Sequence, residues 1–179
     1  MKQKLSIGVC VLISLALFVF GILYGVMGGF HDDHAYVLSL WDGENGLRTA
    51  LDYRAADALN LCVVARRHLP GDLDVAALEA AASNLRNPQA TPSMKKQAEA
   101  RLTEAAAKVA EKLRNAPSLQ QNARDRAYLE MLTADDMFSQ SALVQAYNQA
   151  AEDFNKQLET SVIGAIAKTL GVTTCELYQ

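Results

Sequence analysis

LSIGVCVLISLALFVFGILYGVMGGF, residues 5–30, is a run of 26 residues without a charged side chain. An α-helix rises about 1.5 Å per residue and the hydrocarbon core of a bilayer is about 30 Å thick, so a helix of this length spans a membrane with some tilt. We therefore predict an N-terminal membrane anchor at residues 1–30 and a separate domain at residues 31–179.

Two other interpretations of this run fit less well. A cleaved signal peptide has an apolar region of about 7–15 residues followed by small residues at the cleavage site. The run here is longer, and Val26-Met27-Gly28-Gly29 is a poor cleavage site. Lipid attachment at Cys10 is disfavoured because almost no apolar stretch precedes it. The interpretation that remains is a membrane anchor that is not cleaved.

Basic residues close to the run predict its orientation. Lys2 and Lys4 precede it, whereas the next Lys or Arg on the other side is Arg48, after several acidic residues. The positive-inside rule then keeps the N-terminus in the cytoplasm and exports the domain. We expect a single-pass inner-membrane protein whose domain is periplasmic or extracellular, with the lipid bilayer as its first partner.

Gly21, Gly25 and Gly29 recur at every fourth position of the run. Small residues at this spacing let two membrane helices approach closely. Glycine is also common in membrane helices without such a role. Self-association through these glycines is therefore one open alternative, and another envelope protein is the other expected partner.

The composition of the remaining chain predicts an all-α fold. Without Lys2 and Lys4 it has 15 basic and 20 acidic residues and no basic stripe, which argues against nucleic-acid binding. Alanine is abundant, and no alternating strand pattern occurs. Cys10, Cys62 and Cys175 form neither a disulfide framework nor a zinc motif, and pairing of Cys62 with Cys175 is left open.

Apolar periodicity and helix-capping residues predict an elongated antiparallel bundle of about four helices. Trp41 is expected near the membrane surface, and a bend is expected at Gly43–Gly46. The chain after Leu170 is expected to be an irregular tail folded back on the bundle. The predicted helices are 35–69 (ended by Pro70-Gly71), 73–84 (capped by Asp72 or Asp74), 92–114 (capped by Thr91) and 119–170 (kinked at Asp135-Asp136).

Few residues are candidates for catalysis or for metal binding. His31-Asp32-Asp33-His34 combines types that ligate divalent metals, but a polar collar that ends the span and caps the next helix is the simpler interpretation. His68 has no Ser or Cys nucleophile motif near it in the sequence, and no P-loop, HExxH or G-x-S-x-G motif occurs. Neighbouring carboxylates on a helix point about 100° apart and do not converge. We expect no enzyme and no cofactor.

A series of motifs in the chain is similar to one family. Tyr147–Asn155 reads YNQAAEDFN, and an apolar glycine-containing stretch, Gly171 and Tyr178 follow it. Upstream, in order, lie RAADALNL at 54–61, PSL at 117–119 and YLEML at 128–132. This order resembles the LemA family, whose last long helix carries a YN-x-A-V-x-x-YN pattern and whose N-terminal helix is a membrane helix. Two family prolines are absent, and Gly171-Val172 replaces the usual Gly-Phe.

The resemblance implies a membrane-anchored helical bundle without established catalytic activity. Its motif positions here are Arg54, Asp57, Asn60, Tyr147, Asn148, Phe154 and Asn155. Tyr147 and Phe154 are seven residues apart, so both should face one neighbouring helix, with Asn148 and Asn155 on one flank. We expect these residues to pack the core and fix helix register rather than to form a binding site.

The expected function is that of a non-catalytic interaction or scaffold protein of the bacterial envelope. A self-assembling, membrane-shaping oligomer and a ligand-sensing four-helix module are the alternatives.

Overall fold

The computed structural model describes residues 7–134 and 139–179, and in these ranges the chain is helical without strands. This confirms the all-α prediction. The helices are α1 (Ile7–Asp42), α2 (Leu47–His68), α3 (Leu73–Leu85), α4 (Pro92–Arg114), α5 (Pro117–Gln120), α6 (Ala123–Ala134), α7 (Ser139–Thr160) and α8 (Val162–Thr169). Asp135, Asp136 and the predicted kink there lie outside the described residues.

α1 continues without a break through the expected boundary between residues 30 and 31. Its first part is apolar and exposed, whereas Phe30, Val37 and Trp41 are buried against the rest of the chain. His31–His34 therefore lies inside one helix, and the expectation that it caps a second helix is wrong. The predicted single helix at 35–69 is wrong, because α1 ends at Asp42 and α2 begins at Leu47, and a loop replaces the bend expected at Gly43–Gly46.

The loop between α1 and α2 requires glycine at both of its ends. A Cβ on Gly43 would lie 2.2 Å from the Ser39 carbonyl oxygen, and one on Gly46 would lie 2.5 Å from the Trp41 carbonyl oxygen. The chain can turn so tightly only because these positions lack side chains.

Capping residues define the middle helices as predicted. The Asp72 carboxylate accepts a hydrogen bond from the Asp74 N–H and begins α3, and the Thr91 hydroxyl accepts one from the Met94 N–H and begins α4 at Pro92. Gly71, with φ +78°, follows the end of α2. α2, α3 and α4 pack on one another through aliphatic and alanine side chains such as Leu51, Ala55, Leu78 and Ala82.

The predicted last helix is divided into several. Asn122 accepts a hydrogen bond from the Asp125 N–H and begins α6, and the Ser161 hydroxyl accepts one from the Gly164 N–H and begins α8. Both caps interrupt an apolar period that would otherwise continue, so the single-helix prediction for 119–170 is wrong.

α7 runs antiparallel to α1. The Phe154 ring meets Phe30 edge-on at 6.1 Å between centroids, and the Tyr147 ring lies 5.2 Å from that of Trp41. Trp41 is thus buried by protein side chains, and its ring is not exposed as an anchor in a membrane surface would be.

Candidate functional site: the docked C-terminal tail

The last residues of the chain (172–179, hereafter the tail) run back along α7 without regular secondary structure. Gly171, with φ +95°, turns the chain after α8, and the Val172 N–H donates to the Ala167 carbonyl. The predicted fold-back of this segment is therefore confirmed.

Two asparagines of α7 hold the tail backbone. The Asn155 amide donates to the Cys175 carbonyl at 2.8 Å and accepts from the Cys175 N–H at 2.7 Å. Asn148 makes the same pair of bonds with Tyr178, at 3.0 and 2.8 Å. Each side chain thus satisfies one backbone donor and one backbone acceptor of the tail at a partly buried position.

The spacing of the two asparagines fits the rise of the two backbones. Seven residues of helix advance about 10.5 Å, and three residues of extended chain advance about 10 Å. Asn148 and Asn155 are seven apart, and the residues they bind, Tyr178 and Cys175, are three apart in the opposite direction. The expectation that these asparagines make hydrogen bonds in register between helices is wrong, because their partner is the tail.

The two motif aromatics face α1, as their spacing predicts, and one also binds the tail. The Tyr147 hydroxyl donates to the Glu176 carbonyl at 2.6 Å. Burial raises the pKa of Tyr147 to about 12, so the hydroxyl stays protonated and remains a donor at neutral pH. Phe154 supplies only packing, against Phe30 and the His34 ring.

The Glu176 side chain connects the tail to the N-terminus of α4. Its carboxylate accepts hydrogen bonds from the Thr91 hydroxyl at 3.0 Å, the Ser93 N–H at 3.3 Å and the Ser93 hydroxyl. These bonds, the Ser93 hydroxyl foremost, lower the pKa of Glu176. A carboxylate at the positive end of a helix is favoured electrostatically.

The Tyr178 ring is buried at the far end of the tail. It lies 6.2 Å from the Trp41 ring, and the Lys96 ammonium sits 5.2 Å from its centroid. Its hydroxyl donates to Glu99 at 2.8 Å. Burial, and then this bond to a carboxylate, raise the pKa of Tyr178.

Glu99 connects Tyr178 to the first family-like motif. Arg54 on α2 binds the Glu99 carboxylate at 2.8 Å and the Thr103 hydroxyl at 2.8 Å, and Lys96 binds the other Glu99 oxygen at 3.1 Å. Both Arg54 and Glu99 are largely buried, so each compensates the other's charge. Asp57 and Asn60, from the same motif, are exposed on α2.

A cavity of about 470 Å³ lies between α2, α4 and α6 on the other side of Arg54. Alanines such as Ala50, Ala106 and Ala110 line much of it, and Arg54, Asp57 and Arg114 are its charged residues. The cavity has the size of a small-molecule site.

A cluster of polar and charged side chains around the buried Asp125 joins the end of α2 to α6. The His68 ring lies 2.9 Å from one Asp125 oxygen and 3.0 Å from the Ser118 hydroxyl, and Arg67 binds the other Asp125 oxygen at 2.9 Å. Hydrogen bonds from His68 and Arg67 lower the pKa of Asp125. Ser118, His68 and Asp125 thus meet in space, but Asn122 also donates to this carboxylate, and none of these side chains lines the cavity beside Arg54. The geometry is that of an interhelical clamp.

Lys95 is fully buried beneath the loop between α3 and α4. Its ammonium donates to the Leu85 carbonyl at 2.5 Å and lies 3.6 Å from Asp52. Burial lowers its pKa, while Asp52 opposes this shift. Lys95 satisfies a carbonyl at the C-terminus of α3 and so fixes α3 against α4.

The remaining predicted site residues lie on α1. Nothing packs within 4 Å of where a Cβ would stand on Gly21, Gly25 or Gly29, so this stripe is open. In the described part of the chain, no three His, Cys, Asp or Glu side chains meet in a group that could hold a metal, and this includes His31, Asp32, Asp33 and His34. Cys62 and Cys175 are free thiols, which excludes their pairing here.

Sequence reasoning missed Glu99, Lys95, Glu176 and the His68–Asp125 pair. Only Lys95 and Glu99 had a local signal, since they occupy the inward face of a helix whose other inward residues are apolar. No protein-family model, curated protein or solved structure was found to match this chain.

Proposed function

We propose that this chain is a membrane-anchored, non-catalytic interaction or scaffold protein of the bacterial envelope and a divergent member of the LemA family. One observation carries the proposal. Among the described residues one helix is long and apolar enough to cross a membrane, with a mean hydropathy of 2.7 over a window of which nothing is buried. That helix continues into the packed domain at Phe30.

The family assignment is supported by the role of the motif positions. Tyr147, Asn148 and Asn155 bind the tail, Arg54 reaches it through Glu99, and Phe154 packs on α1. Motifs far apart in sequence therefore serve one structural purpose. In this proposal the packed helices form an elongated antiparallel bundle that presents its outer surface to an envelope partner.

Membrane anchorage is tested by alkaline carbonate extraction of the full-length protein from bacterial membranes. The wild type should remain in the pellet, and a variant with Leu15→Arg and Phe18→Arg should be released. Release of the wild type would refute the anchor. Fusion of alkaline phosphatase to residue 179 tests the proposed export, because this enzyme is active only outside the cytoplasm.

The partner is tested by in-cell cross-linking and mass spectrometry of the tagged full-length protein. One reproducible foreign partner would support an accessory role and define the surface to map. Capture of the protein only with itself would favour the self-assembling, membrane-shaping alternative.

The open glycine stripe is the observation that favours self-assembly. Replacing Gly21, Gly25 and Gly29 by Leu should then lower the oligomeric state in detergent and in bilayers. Ala16→Leu, on the opposite side of α1, is the matched control. An unchanged oligomer in the glycine variant would exclude this alternative.

The cavity beside Arg54 favours the ligand-sensing alternative. An anionic ligand paired with Arg54 would compete with Glu99, which holds Tyr178, and so would loosen the tail. A thermal-shift screen of small carboxylates and phosphates tests this, with Arg114→Gln to identify the cavity. If no compound in the screen raises the Tm, this alternative loses its support.

A further inference from the structure

α8 carries an exposed apolar stripe. Val162, Ile163 and Leu170 are 82 %, 53 % and 43 % exposed. Val162, Ile166 and Leu170 follow one another at four-residue intervals, so they lie on one side of the helix, with Ile163 beside them. Three large, exposed aliphatic side chains in so short a segment form more apolar surface than a water-facing helix usually carries.

The opposite side of α8 is fixed to the protein. Gly164 and Ala167 are buried, and a Cβ on Gly164 would lie 2.3 Å from the Leu158 carbonyl oxygen. Lys168 extends toward Glu159 of α7, 4.0 Å away, and not across the stripe. The orientation of the stripe is therefore set by the packing of α8 on the end of α7.

α8 lies level with the end of the apolar run. α7 passes Phe30 at Phe154 and continues six residues to Thr160, or about 9 Å. The same distance back along α1 from Phe30 reaches about residue 24. α8 contacts α1, and Val26 of α1 is partly covered by the core. A hydrocarbon core about 30 Å thick covers about 20 of the 26 residues of the run, so a span centred on residues 5–30 leaves it near residue 27, about 5 Å from this level.

We propose that α8 lies in the interface of the bilayer that α1 crosses, with its Val162–Leu170 stripe inserted among the lipid chains. The inference rests on the proposed membrane anchorage. Helices that bind bilayers in this way bury one apolar face at the boundary between headgroups and acyl chains. Continuity with the apolar part of α1 identifies the occupant of the stripe as lipid.

Charge contributes little to this contact. Near the interface, Asp32 and Asp33 on α1 and Asp153 and Glu159 on α7 are acidic. Lys156 on α7 is basic, and the Lys168 ammonium lies 4.0 Å from Glu159, so basic residues are outnumbered. Attraction to anionic lipid is therefore weak, and insertion depends on burial of apolar surface. It should occur in zwitterionic phosphatidylcholine and persist in high salt.

The experiment places an environment-sensitive fluorophore on single cysteines of the full-length protein in phosphatidylcholine vesicles. Val162→Cys and Leu73→Cys are made in a Cys10→Ser, Cys175→Ser background, with the buried Cys62 retained. Leu73 is the matched control because it is 83 % exposed and also begins a helix, but α3 packs on α2 and α4. A third sample carries the fluorophore on Cys10 and reports on the span itself.

Lipids with a quencher at a shallow acyl position should reduce the emission of the residue 162 probe by roughly two-fold or more, in low and high salt, and leave the residue 73 probe unchanged. An equal response of both probes to the quencher, with Cys10 quenched by acyl-chain quenchers, would overturn this inference alone. An unquenched Cys10 would overturn the anchorage as well. Loss of residue 162 quenching in high salt would refute insertion of the apolar stripe.

Discussion

Asn148 and Tyr178 are joined by two hydrogen bonds that run in opposite directions, side-chain amide to backbone carbonyl and backbone N–H to side-chain carbonyl. A primary amide carries both the N–H donor and the carbonyl acceptor that these two bonds need. Asn155 repeats the arrangement with Cys175. The tail is thus held as a neighbouring strand would be, although its partner is a helix.

Asn148→Ala should lower the free energy of unfolding by about 1–3 kcal/mol, because it leaves a backbone donor and acceptor unsatisfied. Asn148→Asp, which keeps the acceptor but cannot donate, should be no better. Chemical denaturation measures the change, and hydrogen exchange of residues 175–179 localises it. Asn60→Ala, on the exposed side of α2, is the control and should stay within about 0.5 kcal/mol of the wild type. Similar losses in both variants would contradict the role of Asn148.

Asn155→Ala should expose Cys175 to thiol reagents. Burial raises the pKa of Cys175, and the docked tail restricts access to it, so its alkylation in the wild type should be slow. Mass spectrometry of alkylation time courses gives the rates. Cys62 is buried beneath α3 and is an internal control, since its rate should not change. Faster alkylation of both thiols would instead indicate general unfolding.

Arg54→Met should destabilise the domain more than Tyr178→Phe. Removing Arg54 leaves the largely buried Glu99 carboxylate with Lys96 and Tyr178 alone, a loss of roughly 3–5 kcal/mol. Removing one hydroxyl from Tyr178 costs about 1 kcal/mol, because Glu99 keeps both of its cations. Denaturation curves rank the two variants. The double variant Arg54→Met, Glu99→Met should recover part of the loss; failure to recover would show that charge compensation is not the cause.

Asp125 should make stability sensitive to acid. Its pKa in the folded chain is lowered by His68 and Arg67, so its contribution is complete above the ordinary carboxyl value of 3.8 and is lost as the pH falls through the lower folded pKa. Asp125→Asn should cost about 1.5–3 kcal/mol at pH 7. The difference from the wild type should shrink below about pH 4. Urea denaturation at several pH values tests this, with exposed Glu111→Gln as the control; a difference independent of pH would refute it.

Local chemistry explains which features could be predicted. Pro70-Gly71, Asp72, and Thr91 with Pro92 act within a few residues of the helix ends they define, so their effects are readable from the sequence. Asn122 and Ser161 are equally local, but each lies within an apolar period that hides the break.

The tail contacts could not be predicted in the same way. Nothing near Asn148 in the sequence indicates a partner 30 residues later, and nothing near Arg54 indicates Glu99. Trp41 was expected at a membrane surface because its ring suits an interface, but aromatic side chains from α7 and the tail bury it. Each of these contacts depends on which helices become neighbours, which periodicity alone does not specify.

The unbroken course of α1 makes the two ends of that helix turn together. No hinge separates the glycine stripe from the face that meets α7, so each is held at a fixed angle to the other. One residue inserted between Gly29 and Phe30 would rotate the glycine stripe by about 100° relative to Phe30, Val37 and Trp41, and the contacts of these three residues would stay in place. A partner that binds the N-terminal half of α1 would therefore also fix the rotational orientation of the helices packed against its C-terminal half.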